Sequence, residues 1–370
     1  GVRTSTWMVI KIKTMLNLYG DQIILDDETS PAKVAILNAG KLIEFLSLLP
    51  SNVPQIGSVH IVRIQQTFKQ HRLANAKLED GTNISVRLSN ERLSTGSLAL
   101  ATITAEPWDN KPGRAILGAE LAGRYVILLP QKPEIIRTSK NRIKSKDTAI
   151  SGIDLIVSAL PENCGIILRR QASDAPFSAI KEEIKTLWED WQKNSNMSCY
   201  PNMPTSPKKI YPGLSLLQLA SIIAPNSKYR ICKDDGEWQG FYDHLDKVNK
   251  PYFLTDRDVC IWVQSTKGLT AIDVDSAGSK LSPPELIPHI AETIMNHIRL
   301  RQLSGAIFVD MPRLLKVDKI KFHELCSSYA LADIRHPDIY GYGPAGLLEM
   351  TVRHRHMTLE NRLKLMSSEN

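Results

Sequence analysis

Lys267-Gly-Leu-Thr-Ala-Ile-Asp273-Val-Asp275-Ser276, followed after a helix-length interval by Ser304-Gly-Ala-Ile-Phe-Val-Asp310, is the stretch on which the reading of this chain turns. Leu269, Ala271, Ile272 and Val274 make the first part a short β-rich run, and Ala306 to Val309 form a continuous apolar run of strand length. Between them, Pro284 to Leu303 is long enough for a helix. Its Ile287, Ile290, Ile294 and Ile298 recur at three- and four-residue spacing, which gathers them on one face. Pro284 suits a first helical turn, while Pro288 predicts that the regular part begins about there.

Strand, helix, strand predicts a crossover with two parallel strands whose carboxyl ends share one sheet edge. Asp273 and Asp310 each fall at such an end, so side chains 37 positions apart (310 − 273) are expected to meet where α/β sheets usually bind ligands. Paired carboxylates there suit Mg²⁺, which takes one or two protein oxygens and fills its remaining positions with water and phosphate oxygens. The competing reading is structural: aspartates end strands because they start turns and cap helices.

At 370 residues the chain is expected to divide into two to four domains. Lys plus Arg (46) exceed Asp plus Glu (39) by seven, a balance that permits a polyanionic partner without naming one. Five dispersed cysteines form no C-x-x-C pair and fit reduced, buried thiols better than a disulfide frame or a tetrahedral zinc site. No apolar run of membrane-spanning length exists, and Lys11 and Lys13 interrupt the opening Trp7-Met-Val-Ile segment before a secretory core can form. Residues 1–14 read as an extra strand or as an extension ahead of a start at Met15.

Upstream, Val34–Leu37 and Lys41–Phe45 flank Asn38-Ala-Gly40 as a hairpin. From Gly57 to Pro130 about five short strands are expected, at Val59–Ile64, Leu73–Leu78, Ile84–Leu88, Leu98–Thr104 and Tyr125–Leu129. That spacing suits a small barrel of the OB type, which often carries single-stranded nucleic acid; a barrel with no ligand is the alternative. Residues 131–150 are the densest positive segment, with Arg137, Lys140, Arg142, Lys144 and Lys146, read either as a solvated loop or as a phosphate contact. Gly165–Leu168 is a strand ending in Arg169 and Arg170, the side chain suited to bidentate phosphate binding. A helix over Ser178–Gln192 presents Ile180, Ile184, Leu187, Trp188 and Trp191 on one face, Asn194–Gly213 reads as a linker, and Leu214–Ala224 resumes a helix.

These segments together resemble the ribonuclease E/G family. The resemblance is carried by Gly268–Gly278, Ile298–Asp310 and Gly346–Arg353, with support from Val34–Phe45, Leu121–Pro130 and Gly165–Arg169, all in family order and covering about residues 32–356. It implies a multidomain α+β and α/β chain: a ribonuclease-H-like subdomain (1–56 and 199–263), an inserted S1-type OB-fold (57–121), a 5′-sensor subdomain (122–198) and a deoxyribonuclease-I-like catalytic subdomain (264–360). It further implies a cytoplasmic, Mg²⁺-dependent endoribonuclease of RNA processing or decay, rRNA processing included, that cuts single-stranded RNA.

By the same resemblance Asp273 and Asp310 match the family's metal-binding aspartates, and Asp275 stands where the family usually has Asn. Gly123 and Ile127 match positions lining a 5′-monophosphate pocket, and Arg169 matches its phosphate-binding arginine. Lys111 matches a basic RNA-contacting loop of the barrel; Arg137, Lys140 and Arg142, read from the basic segment itself, are the other candidate RNA contacts. Three departures stand out. Arg170 replaces the sensor's threonine, the barrel positions that stack RNA are non-aromatic near Lys77 and Ile84–Val86, and the zinc-link cysteines are missing, so no zinc and no zinc-linked tetramer are expected. Mn²⁺ could replace Mg²⁺, since both accept oxygen ligands. Two other functions stay open: a non-catalytic RNA-binding or ribosome-maturation factor that keeps the fold, and a generic α/β enzyme acting on a phosphate ester.

Overall fold

The computed structural model describes residues 19–50, 53–88, 93–108, 111–133, 135–138, 153–195, 205–225 and 227–367. The chain is mixed α+β and divides into two units. One is the continuous segment Pro50–Ser215; the other is assembled from the parts that flank it, through Leu49 and from Leu216 onward.

The flanking unit opens with a meander of β1 (Gln22–Asp26), β2 (Lys33–Asn38) and β3 (Lys41–Ser47). The expected hairpin is present. Ala39 and Gly40 both take positive φ, 48° and 76°, in a two-residue turn whose twist matches that of its strands.

In the continuous unit, β4 (Val59–Phe68), β5 (Leu73–Lys77), β6 (Asn83–Arg87), β7 (Leu98–Ala105) and β8 (Gly113–Leu117) lie in the order β4-β5-β6-β8-β7. Strand β7 also pairs with β4, so the five strands close into an OB-like barrel and leave each other no open edge. Val62, Ile64, Ala74, Ala76, Ile84, Val86 and Ile103 alternate into its interior. The fifth barrel strand is Gly113–Leu117, not Tyr125–Leu129 as the sequence predicts. Its Gly-Arg-Ala opening hides it, whereas the strongly apolar run after Tyr125 belongs to the next sheet.

That sheet contains β9 (Leu121–Ala122), β10 (Val126–Pro130), β11 (Ile136–Thr138) and, after a short α1 (Ile153–Ser158), β12 (Cys164–Leu168), in the order β11-β12-β10-β9. Helix α2 (Phe177–Asn194) lays Ile180, Ile184, Leu187 and Trp191 against Val126, Leu128, Ile166 and Leu168. The expected linker is only partly one. Lys208–Tyr211 forms β13, which pairs with β4, and the buried Tyr211 ring lies 5.3 Å from that of Trp191. A single Ile-Tyr pair among Pro, Ser and Lys carries too little pattern to read as a strand.

The flanking unit resumes with α3 (Leu216–Ile223) and β14 (Lys228–Ile231), which joins β1 in parallel to give the sheet β14-β1-β2-β3. Helix α4 (Asp235–Asn249) follows, its N-terminus capped by the Asp234 carboxylate, which accepts from the Gly236 amide at 2.8 Å. A six-stranded sheet then forms from β15 (Tyr252–Leu254), β16 (Cys260–Ser265), β17 (Leu269–Asp275), β18 (Gly305–Asp310), β19 (Asp338–Tyr342) and β20 (Leu348–Val352), ordered β15-β16-β17-β18-β20-β19. Between β17 and β18 runs α5 (Pro283–Leu300); α6 (Lys316–Ala332) follows β18, and α7 (Leu359–Ser367) follows β20.

Helices α5 and α6 cover one face of this sheet, where Ile272, Val274, Ile307 and Val309 meet Ile287, Ile290, Ile294, Ile298 and Phe322. Helix α5 begins five residues before Pro288. Ser282 and Glu285 form a capping box, and Pro283 fills the first helical position. Pro288 sits inside and denies the Pro284 carbonyl its helical donor; Lys321 Nζ, from α6, lies 3.4 Å from that oxygen instead.

His297 near the end of α5 is buried, edge-on to Phe253 with ring centroids 4.4 Å apart, and Arg301 Nε donates to its Nδ1 at 3.3 Å. Burial, reinforced by the charges of Arg301 and His244, pushes its pKa down to about 3. Unfolding therefore takes up a proton below the ordinary value of 6.5: the stability this histidine contributes is present above that pH and is lost as pH falls toward 3. His297→Gln, which keeps an acceptor but cannot titrate, is expected to reduce the acid-range slope of unfolding free energy by about one proton, or about 1.4 kcal/mol per pH unit. Denaturant titrations between pH 7 and 4 measure it, and an unchanged slope would assign the acid sensitivity elsewhere.

Candidate active site: paired aspartates on an open sheet face

The period of two in β17 and β18 decides where the carboxylates point. Thr270, Ile272 and Val274 are buried beneath α5 and α6, so Leu269, Ala271, Asp273 and Asp275 face outward; Ile307 and Val309 are likewise buried and Asp310 is exposed. Asp273 and Asp310 are direct partners in the parallel register, on adjacent strands about 4.8 Å apart. The convergence expected from the sequence is thus present, on a face that no helix among the described residues covers. Asp275, two residues along the same face, accepts from the Ala277 amide at 2.8 Å through Oδ1, which fixes the turn after β17.

Among the described residues no three His, Cys, Asp or Glu side chains gather to hold a metal ion. Asp273 and Asp310 nevertheless fit a hard divalent cation: they supply oxygen donors only, they are adjacent and solvent-facing, and they leave room for water and phosphate oxygens. A cavity of about 630 Å³, lined by His244, His289, His297, Phe241 and Phe253 among others, contains neither aspartate.

The second cluster lies in the β9–β12 sheet. Ile127 pairs with Ile167 on the face away from α2, and Arg169 follows just past the end of β12. The Arg169 amide donates to the Tyr125 carbonyl, and its guanidinium donates to the Gly123 carbonyl. Gly123, Ile127 and Arg169 are therefore gathered at one corner. Sequence reasoning missed its other occupant, Glu183 of α2. The carboxylate of Glu183 accepts three backbone amides, from Arg124 at 2.6 Å, Tyr125 at 2.7 Å and Val126 at 2.9 Å. A Cβ on Gly123 would lie 2.5 Å from Glu183 Cδ, so only glycine admits this close approach. Burial raises the Glu183 pKa, although the three amides and the Arg169 charge favour the anion.

Arg170 follows Arg169 in a 3₁₀ turn, and Arg137 holds the register position beside Ile167; the side chains of both, and all of Lys140 and Arg142, lie outside the described residues. In the barrel, Lys111 is exposed, exchanges two backbone hydrogen bonds with Trp108, and holds Nζ 4.8 Å from the centre of the Trp108 ring. The outward positions of β5 and β6 are Leu73, Asn75, Lys77, Asn83, Ser85 and Arg87, with no ring among them. The four described cysteines are free thiols.

The described residues thus combine an OB-like barrel, a corner where Arg169 meets the Gly123 and Tyr125 carbonyls, and paired aspartates on an open sheet face, in a mixed α+β chain. The family model described as the ribonuclease E/G family matches residues 120–251. Ribonuclease E of Synechocystis sp. is 21% identical over 309 residues, 73% of this chain and 46% of that protein. Ribonuclease E of Nostoc sp. is 22% identical over 300 residues, 70% and 43% respectively. Ribonuclease E of Buchnera aphidicola subsp. Acyrthosiphon pisum is 21% identical over 272 residues, 63% and 28%. Over residues 120–251 this chain is similar to the ribonuclease E/G family, and it spans less than half the length of these curated relatives.

Proposed function

We propose that the protein is an endoribonuclease that cleaves single-stranded RNA with Mg²⁺, or Mn²⁺ in its place, and that Asp273 and Asp310 hold the ion. The observation that carries this reading is their register pairing on a face open to a polymer. When bound, the ion would supply an activated water and charge stabilisation at the scissile phosphate. The chain's own part is positional. Asp273 and Asp310 project from a sheet made rigid by the α5–α6 core, and Asp275, braced by the Ala277 amide, orients water beside them. Lys111, with Lys77 and Arg87 on the barrel's outer face, engages RNA phosphates, which give affinity without sequence information. Arg137, Lys140 and Arg142, basic in the sequence, would serve as further phosphate contacts. On this reading the β14-β1-β2-β3 sheet is the ribonuclease-H-like subdomain, the barrel is S1-type, and the six-stranded sheet is the deoxyribonuclease-I-like one.

The test is incubation of the purified chain with a 5′-monophosphorylated single-stranded RNA, with Mg²⁺ and with chelator. Metal-dependent internal cleavage is expected; its absence would favour a non-catalytic RNA-binding or ribosome-maturation role, to which the ring-free outer faces of β5 and β6 lend weight.

The Arg169 corner adds a second expectation. Because the amides of residues 124–126 already serve Glu183, a 5′ phosphate is left to Arg169 and Arg170, with Gly123 and Ile127 as walls. Losing amide donors weakens anion binding. Oligonucleotides with 5′-monophosphate and 5′-hydroxyl ends are therefore expected to be cleaved at rates within about threefold of each other, a difference of about 0.7 kcal/mol. A preference of a hundredfold for the monophosphate would show that a full sensor survives.

A further inference from the structure

We propose that Trp262, backed by Tyr252, forms a nucleobase-stacking subsite beside the aspartates. It would receive the base of a nucleotide flanking the phosphate held at Asp273 and Asp310. The inference rests on the nuclease reading for the identity of that phosphate, but the subsite has its own geometry.

The register of three strand pairs sets four residues in one row across the sheet. Tyr252 opposes Trp262, Trp262 opposes Asp273, and Asp273 neighbours Asp310. Directly opposed residues share a face, so the two rings stand on the surface that presents the carboxylates. Strand spacing puts Trp262 about 5 Å from Asp273 and about 10 Å from Asp310, measured between backbones. Trp262 is 42% exposed and Tyr252 40%, an unusual placement for aromatic residues with no core role, because Ile261 and Val263 on the opposite face of β16 already supply that strand's packing. The two rings are held rather than loose. Their centroids lie 4.8 Å apart at 58°, and Cys260 Sγ donates to the Tyr252 hydroxyl at 3.1 Å.

Single-stranded nucleic acids need such a platform, because stacking on an aromatic ring is sequence-tolerant and every base has a π-face. The barrel's β5 and β6 lack one. Carboxylates alone repel the phosphates they must approach, so an uncharged stacking surface one strand away provides attraction that the acids cannot.

The experiment measures binding of the full chain to an end-labelled single-stranded RNA in chelator, by fluorescence anisotropy. The oligonucleotide carries an abasic site at each position in turn, and Mg²⁺-dependent cleavage is read in parallel. Trp262→Ala is expected to weaken binding about five- to a hundredfold and Trp262→Phe to retain most of it. One abasic position should cost the wild type a similar factor and cost Trp262→Ala nothing further. Wild-type affinity in Trp262→Ala, abasic profiles that stay parallel in the two proteins, or no RNA binding by the wild type would each overturn the subsite. The coupling without cleavage would sink the nuclease reading and leave the subsite standing; cleavage without the coupling would do the reverse. Circular dichroism of both variants checks the fold, which the outward position of Trp262 should leave intact.

Discussion

Asp310→Ala is expected to lower Mg²⁺-dependent RNA cleavage by about a thousandfold or more, a barrier increase of about 4 kcal/mol. The size follows from what the side chain does: with Asp310 gone, one of two adjacent oxygen donors remains, and a hard cation held by a single exposed carboxylate is neither localised nor retained. The fold should not suffer. Asp310 is exposed at the end of β18, and the packing beneath it comes from Ile307 and Val309. Removal of an acid from a surface approached by phosphates should leave RNA affinity equal or slightly stronger in chelator. Rates for wild type and Asp310→Ala, measured with unfolding curves on the same preparations, decide the matter. Equal rates would remove the paired aspartates from the chemistry, and with them the proposed mechanism.

Arg335→Ala should have the largest effect on stability, a loss of about 3–5 kcal/mol. Arg335 is buried in the segment between α6 and β19 and makes four hydrogen bonds through its guanidinium. Nε and Nη2 grip the Asp333 carboxylate at 3.1 and 2.6 Å, Nη1 donates to the Leu303 carbonyl at 2.9 Å, and Nη2 reaches the Ile298 carbonyl at 3.1 Å. The last two acceptors belong to the end of α5 and the turn into β18, so one guanidinium fixes the path that delivers Asp310 to the sheet edge. Truncation strands the Asp333 carboxylate in the interior and leaves two carbonyls without this donor. Replacing both members of the pair by apolar residues of similar volume should cost much less than Arg335→Ala alone, because no buried charge is then left over. Guanidinium titrations provide the comparison, and a cost below about 1 kcal/mol for Arg335→Ala would mean that the staple is dispensable.

The order in which these features could be read from the sequence follows from their physics. The β17–α5–β18 crossover was legible because its isoleucines repeat at helical spacing and its strands are short and apolar, and period-two burial then places Asp273 and Asp310 on one face. Strand β8 was not legible, since Gly113 and Arg114 at its start dilute the pattern, and β13 was hidden among prolines and serines. The start of α5 was misplaced because Pro288 is tolerated once Lys321 approaches the carbonyl it leaves bare. Glu183 and Trp262 escaped for a different reason. Their partners lie 57 to 59 residues away for Glu183 (183 − 126 and 183 − 124) and 11 for Trp262 (273 − 262), and only tertiary pairing reveals them. Alternation within β16, where Ile261 and Val263 flank an outward ring, was the one local signal available for Trp262.

The parallel pairing of β1 with β14 has a cost in time. Gln22 meets Lys228, 206 residues later (228 − 22), and the whole continuous unit is synthesised in between. At ribosomal speeds of about 5–20 residues per second, the nascent meander waits roughly 10–40 s with one flank of β1 bare. An unpaired edge of that kind invites a wrong partner. Slow or crowded expression should therefore lose product at this step, before the six-stranded sheet has left the ribosome.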